Sequence, residues 1–301
     1  MQRLHLCTLA VVALASAGLV AGQTTSNTTY FTYFESLSVC APVSVLVNQS
    51  ADGKYSITVD ADAAANKALV ISYQGGKGLG IESLGDFNSS NPIKITLSLP
   101  PGVFNYAELD YTNSDLVIDN TFSKDKGEIA NNGDGTVIVN KGMDGSLNKV
   151  SIVGSGDLVM RGKGTYSELF SDGSGNRYLS GLQGQINIKH DGSGSVNVQP
   201  GTGYTNIGGV DTGTGSVSYT QGNCTVRKDP DAGPAMVGNA CTQVGSMSVP
   251  PQTIRWTCGI AVKGDYACGG GGLGGPPSVT KIPCSAPQNS LTMFTLNTQT
   301  E

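Results

Sequence analysis

Three aspartates, Asp172, Asp191 and Asp211, stand just ahead of glycine-rich turns at spacings of 19 and 20 residues. Stacked on one edge, their carboxylates would gather the hard oxygen ligands that a calcium ion requires, or would offer acceptors to a sugar. The simpler role of an aspartate at a turn is to bond its own backbone. The sequence has neither a nine-residue calcium repeat nor a helix–loop–helix calcium loop. Calcium therefore enters as an alternative, and no other cofactor or metal site is expected.

Little else could do chemistry. Beyond the first 22 residues the sole histidine is His190, so no His-based zinc set can form. His190 adjoins Asp191, but neighbours on a strand face opposite sides, so the two form no dyad and His190 is expected at the surface. There is no G-x-S-x-G elbow and no phosphate-binding loop; the glycine run 75–80 reads as a flexible connection between strands. A polysaccharide-cleaving β-helix would carry clustered aspartate pairs, a Gly-His-Gly and basic clamps. No adjacent aspartates occur here, and Arg161, Arg177, Arg227 and Arg255 are the only arginines beyond residue 22. The chain reads as non-enzymatic.

The cysteines and the N-terminus speak to compartment. Residues 1–22 place Arg3 before an uncharged run from Leu6 to Val20 and end in small residues, as a cleaved signal peptide does. No later apolar stretch is long enough to span a bilayer, so no membrane span is expected after cleavage. Removing the leader takes Cys7 and leaves six cysteines, an even number that in a secreted chain argues for disulfides: Cys40, Cys224, Cys241, Cys258, Cys268 and Cys284. Five lie beyond residue 222, so full oxidation pairs Cys40 with one of them or with another chain; spacing leaves the connectivity open. Glycosylation acceptors at Asn27, Asn48, Asn88 and Asn223 fit the same compartment, with Asn223 constrained if Cys224 is bridged.

Composition bounds the architecture. Of 301 residues 42 are glycine, and charged residues make up 14%. The formal net charge is -5; losing Arg3 leaves 17 basic against 23 acidic residues, so no nucleic-acid partner is expected. Glycine has no three-residue period, which excludes collagen. Runs such as VSVLV (43–47), YSITV (55–59), ALVISY (68–73) and IKITLSL (93–99) alternate or are β-branched, as strands are, and 60–66 allows one helical turn at most.

The chain then repeats. Glycines two apart recur at 133/135, 154/156, 173/175, 192/194 and 213/215, with spacings of 21, 19, 19 and 21. Two residues after each pair stand Val137, Leu158, Arg177, Val196 and Val217; four residues before the first four pairs stand Ile129, Val150, Leu169 and Ile188. Two short strands joined at a glycine corner cannot bury an apolar edge alone, whereas stacked copies bury one another's columns. The pattern predicts an all-β, parallel β-solenoid of ~20-residue coils. Arg177 is the misfit, expected to point outward at a bulge or to mark an irregular coil. The expected organisation is a signal peptide at 1–22, a polar lead-in at 23–41, the solenoid at 42–221, a disulfide-rich, loop-dominated cap at 222–284 and a flexible tail at 285–301.

From Pro42 to about Tyr219 the chain resembles the "putative auto-transporter adhesin head GIN domain" family. The resemblance lies in PVSVLVNQSADGKYSITVDAD, ALVISY, IKITLSLPPGVFNYAELDYTNSDLVIDN, VSIVGSGDLVMRGKG and INIKHDGSGSVNVQPG, in that order. It implies a parallel β-solenoid at a cell surface or outside the cell and implies no catalytic residues. The function expected is that of a secreted surface, matrix or adhesin-like protein presenting a rigid solenoid to extracellular glycans or surface proteins. A carbohydrate-binding or polysaccharide-cleaving β-helix protein and a calcium-stabilised structural module are the alternatives. Asp172, Asp191 and Asp211 are the candidate binding residues.

Overall fold

The computed structural model describes residues 24–74, 76–110, 114–228, 240–250, 253–268 and 278–284. The leader and its cleavage point, the runs 269–272 and 276–277 and the tail at 285–301 lie outside the described residues. The chain opens with β1 (Thr25–Phe31), β2 (Ser36–Val39), β3 (Val45–Gln49), β4 (Tyr55–Ala61), α1 (Ala63–Ala68), β5 (Leu69–Gln74), β6 (Gly78–Ser83), β7 (Phe87–Ser89), β8 (Lys94–Leu99) and β9 (Tyr106–Leu109). The coils follow as β10 (Leu116–Asp119), β11 (Lys126–Asn131), β12 (Val137–Val139), β13 (Leu147–Ile152), β14 (Leu158–Arg161), β15 (Tyr166–Ser171), β16 (Arg177–Ser180), β17 (Gly184–His190), β18 (Val196–Gln199), β19 (Thr205–Asp211), β20 (Val217–Tyr219), β21 (Asn223–Lys228) and β22 (Cys241–Gln243). Two further strands, β23 (Ile260–Lys263) and β24 (Ser278–Lys281), complete the set.

The fold is a parallel β-solenoid. Even-numbered strands from β10 to β22, continued by β3, β8, β4 and β1 in that order, form one sheet, here sheet A; odd-numbered strands from β21 down to β9, continued by β2, β6 and β5, form the other, sheet B. The inward row of sheet A runs in unbroken register through Val45, Leu116, Val137, Leu158, Arg177, Val196 and Val217. Its counterpart in sheet B runs through Ala107, Ile129, Val150, Leu169 and Ile188. Each fully buried aliphatic side chain contributes about 1.5–3 kcal/mol, and together the rows form the thin core between the sheets.

Glycine occupies the corners because successive turns of backbone touch there. A Cβ on Gly194 would stand 1.7 Å from the Gly175 carbonyl oxygen, and one on Gly156 1.9 Å from that of Gly135. Close stacking, rather than unusual dihedrals, fixes glycine at most of these corners; among the five pairs, Gly173 alone has positive φ.

The structure alters several expectations. Residues 25–39 are no loose lead-in: β2 lies in sheet B between β6 and β9, with Phe34, Leu37 and Val39 in the core. The expected single turn is a six-residue helix, α1, whose N-terminus Asp62 caps by accepting from the Ala65 N–H at 3.0 Å. Arg177 neither points outward nor breaks its coil; it sits fully buried in the inner row, between Leu158 and Val196. Its Nη1 donates to the Gly156 carbonyl at 3.4 Å, while Nε and Nη2 find no protein partner. Burial pulls the guanidinium down to about 10, partly offset by Asp157 and Asp172.

The cysteine-rich region also departs from a simple end cap. Its first part does close the solenoid: β21 and β22 add a last strand to each sheet, and Cys224–Cys241 joins them. The remainder returns along the outside of sheet A. Ile254 and Trp256 cover the outward residues Val117, Ile138 and Val159, and β23 pairs with β7 near the other end of the molecule. Cys40 pairs with Cys268 in the same chain, and Cys258 with Cys284.

Candidate functional site

The parity of each strand decides which candidate residues can meet a ligand. Asp172 and Asp191 each stand one residue before their glycine pair, but Asp211 stands two before, with Thr212 between. One residue reverses the facing of a strand side chain. Asp211 consequently lies in the buried row with Ser171 and His190, and the three carboxylates do not share an edge.

Each is accounted for separately. Asp211 accepts from the Gly213 N–H at 3.0 Å and pairs with Lys228 Nζ at 2.9 Å. Asp191 accepts from the Thr212 hydroxyl and lies 3.5 Å from Lys189 Nζ. Asp172 is exposed. Among the described residues no three His, Cys, Asp or Glu side chains gather as a metal would require. His190, expected at the surface, is fully buried, with Nδ1 3.3 Å from the Ser171 hydroxyl. Its facing follows from the same parity that puts Asp191 outside. Of the glycosylation candidates, Asn88 and Asn223 are exposed and Asn27 and Asn48 half-buried.

A concave site does form on the outer face of sheet B, where β15, β17 and β19 lie side by side. Two outward rows cross it, Glu168–Asn187–Gly208 and Phe170–Lys189–Val210. Gly208 supplies no side chain, and a Cβ there would meet nothing within 3.8 Å. Beside it lies a cavity of about 700 Å³ lined by Glu168, Phe170, Asn187, Lys189, Asp191, Gly209, Val210 and Thr212, among others. Hydrogen bonds orient its polar wall: Asn187 Nδ2 donates to the Tyr166 hydroxyl at 3.3 Å, and that hydroxyl donates to Glu168 Oε1 at 3.1 Å. Lys189 Nζ lies 5.1 Å from the Phe170 ring centroid, within cation–π range. Lys149, 3.8 Å from Glu168, balances that carboxylate as Lys189 balances Asp191. The wall thus pairs a flat apolar ring with donors and acceptors of both kinds and little net charge.

Residues 33–221 match the family model described as "Putative auto-transporter adhesin, head GIN domain". The chain belongs to that family. Among solved structures it is similar to a putative adhesin of Bacteroides fragilis, at 20% identity and a TM-score of 0.59, covering 69% of this chain and 93% of that one. It is also similar to a putative adhesin of Parabacteroides distasonis, at 14% identity and a TM-score of 0.53, covering 74% and 97%. A third, from Parabacteroides merdae, has 15% identity and a TM-score of 0.50, covering 69% and 93%. At such identities the likeness is one of fold. No curated protein matches the chain in sequence. The family match ends at 221, so β21, β22 and the returning segment lie beyond the matched residues.

Of the predicted binding residues, Asp191 alone lines the cavity. Sequence reasoning missed Phe170, Asn187, Lys189 and Gly209. The available signal was Gly208-Gly209, which interrupts the apolar column in the last repeat just where the outer face loses a side chain.

Proposed function

We propose that this chain is a secreted, non-catalytic, adhesin-like protein that binds extracellular glycans through the groove across β15, β17 and β19. The observation that carries the reading is the pairing, in one concavity, of the Phe170 ring with the Asn187 amide, the Glu168 and Asp191 carboxylates and the Lys189 ammonium. A sugar ring has an apolar C–H face and a rim of hydroxyls that both donate and accept, so an aromatic plate flanked by oriented polar groups complements it. The near balance of charge favours a neutral saccharide over a polyanion. Membership of an adhesin-head family supports a surface or extracellular role. Three disulfides and an exposed acceptor at Asn88 support an oxidising, glycosylating compartment; Asn223 adjoins the bridged Cys224 and adds nothing to that reading.

A glycan array probed with the intact protein, followed by titration of the best neutral oligosaccharide, tests this. Phe170→Ala and Asn187→Ala are each expected to weaken binding on the order of tenfold while leaving the melting temperature unchanged. Binding unaffected by both variants would overturn the site. Release of reducing sugar from a bound polysaccharide would overturn the non-catalytic reading.

A further inference from the structure

The opposite end of the solenoid carries an aromatic cluster that the coils do not need. Phe34 is fully buried and anchors it. Around it Phe31, Tyr33, Tyr55 and Tyr73 pack edge to face, with centroids 5.4–6.0 Å apart in the contacts Phe31–Phe34, Phe31–Tyr73, Tyr33–Tyr55 and Phe34–Tyr55. Core packing would hide such rings, yet Tyr30 is 68% exposed, Tyr73 50% and Tyr33 36%. Concentrated exposure of large rings on a surface marks a contact site, and tyrosines held by neighbouring rings, as Tyr33 is by Tyr55 and Tyr73 by Phe31, lose little entropy on binding.

The cluster borders a cleft of about 440 Å³ between the end of β1 and the start of β4, lined by Tyr30, Phe31, Thr32, Gly53, Lys54 and Tyr55. Its rim is charge-balanced: Lys54 lies 3.2 Å from Asp52 and Lys77 3.4 Å from Glu35. The Tyr33 hydroxyl donates to Glu35, and that bond pushes the phenol up to about 12, so the ring adds no charge. A balanced rim does not select a polyanion or a polycation. The ring pairs meet at 66–88°, which does not make the row of parallel aromatic slots that a polyproline segment requires. Flat ring faces beside phenol, threonine and ammonium groups instead match the C–H face and hydroxyl rim of a neutral pyranose.

We propose that this aromatic end is a second saccharide site, so that one chain carries two sites and crosslinks glycan strands. From β4 to β16 the strand order of sheet A counts six steps, about 29 Å at ~4.8 Å per step. Two sites that far apart on a rigid rod engage different strands, or distant parts of one strand, and convert weak contacts into avidity. The inference rests on the glycan reading of the groove for its crosslinking role, and its test separates the two sites.

The full chain, and its Tyr30→Ala, Tyr73→Ala and Phe170→Ala variants, would be titrated calorimetrically with short cello-, manno-, malto- and chito-oligosaccharides. Each would then be mixed with the matching soluble polysaccharide and followed by turbidity. Tyr30 and Tyr73 are exposed and Phe170 is half-buried on the outer face, and unchanged circular dichroism would certify folding. The expected result is two oligosaccharides per parent chain and a turbid mixture. Tyr30→Ala or Tyr73→Ala should leave one per chain, weaken the lost site on the order of tenfold, and clear the mixture. Phe170→Ala should leave one site that remains sensitive to Tyr30→Ala. One oligosaccharide per parent chain with no effect of either tyrosine variant overturns the proposal. So does capture of a proline-rich peptide, and of no sugar, at Tyr30. Binding that depends on Tyr30 but not on Phe170 overturns the groove while upholding the aromatic site.

Discussion

Within the coils, an inward residue meets its counterparts about one turn away in sequence: Val137 lies against Leu158, and Val196 against Val217. Along the returning segment, contacts reach much further. Arg255 binds Asp115 across 140 residues, Thr257 meets Ser44 across 213, and Cys268 is bonded to Cys40 across 228. The coils are thus held by many equivalent contacts of short reach, and this strap by a few individual ones of long reach. From Gln243 to Arg255 twelve residues can span at most ~40 Å, while the six strand steps from β22 to β10 cover about 29 Å. The connection has little slack, and the strap depends on its anchors. Removing a corner contact should damage the body, whereas removing an anchor should free the strap and leave the body standing.

The largest effect is expected at a corner. Gly194→Ala drives a Cβ into the Gly175 carbonyl, backbone against backbone, where neither side can yield cheaply. A loss of about 3–4 kcal/mol is expected in denaturant unfolding. Gly245→Ala, with open space around the added carbon, is the control and should stay within about 0.5 kcal/mol. Similar stabilities for the two would show that the corners tolerate bulk and that the coils are not closely stacked there.

Next comes the long disulfide. Cys40→Ser with Cys268→Ser should cost about 2–4 kcal/mol, confined to the strap. Trp256, the chain's single tryptophan, packs on Val117, Ile138 and Val159, so its fluorescence reports docking directly. In the variant the fluorescence should shift at a lower denaturant concentration than the β-sheet circular dichroism. Coincident transitions would mean that strap and coils are one cooperative unit. Arg255→Ala should act in the same direction with a smaller effect of about 1–2 kcal/mol. Asp115 is almost fully buried and loses two bonds from the guanidinium, but it keeps the Arg255 backbone N–H at 2.8 Å, and the guanidinium it loses was largely in water.

The same contrast explains what could be read in advance. The coils were legible because each structural role recurs: glycine at the corner and an aliphatic residue two places later, again and again. The strap was not, because Arg255 and Asp115 form one pair once, and nothing in local spacing links them. Single-residue parity set the limit for the site. Counting Asp211 with Asp172 and Asp191 overlooked the extra residue, Thr212, that turns Asp211 inward. The same alternation, applied to His190, would have buried it. The groove escaped notice because its lining comes from three strands a coil apart and leaves no motif.

A finer contrast lies within the body, between residues in the same place of successive coils. The amides of Asp110, Asp172 and Asp191 each bond the carbonyl of the preceding coil's inner row, at Val39, Ile152 and Ser171. Asp172 is exposed and Asp191 half-buried, whereas Asp110 is 8% exposed and its Oδ1 has no partner. Burial, aided by the nearby Glu108 carboxylate and opposed by Asn132, pushes the Asp110 carboxyl up to about 6. Its unfolded value is near 3.8, so the native state holds the proton more tightly. The stabilisation is complete below about pH 4 and is lost as pH rises through about 6. Asp110→Asn, of the same shape and uncharged, should abolish that fall and be more stable than the parent by about 1–2 kcal/mol at pH 8, with little difference at pH 4. Thermal unfolding of parent and variant between pH 4 and 8 decides it: parallel profiles would mean that burial does not raise the Asp110 carboxyl and that the contrast in exposure along this row carries no energetic consequence.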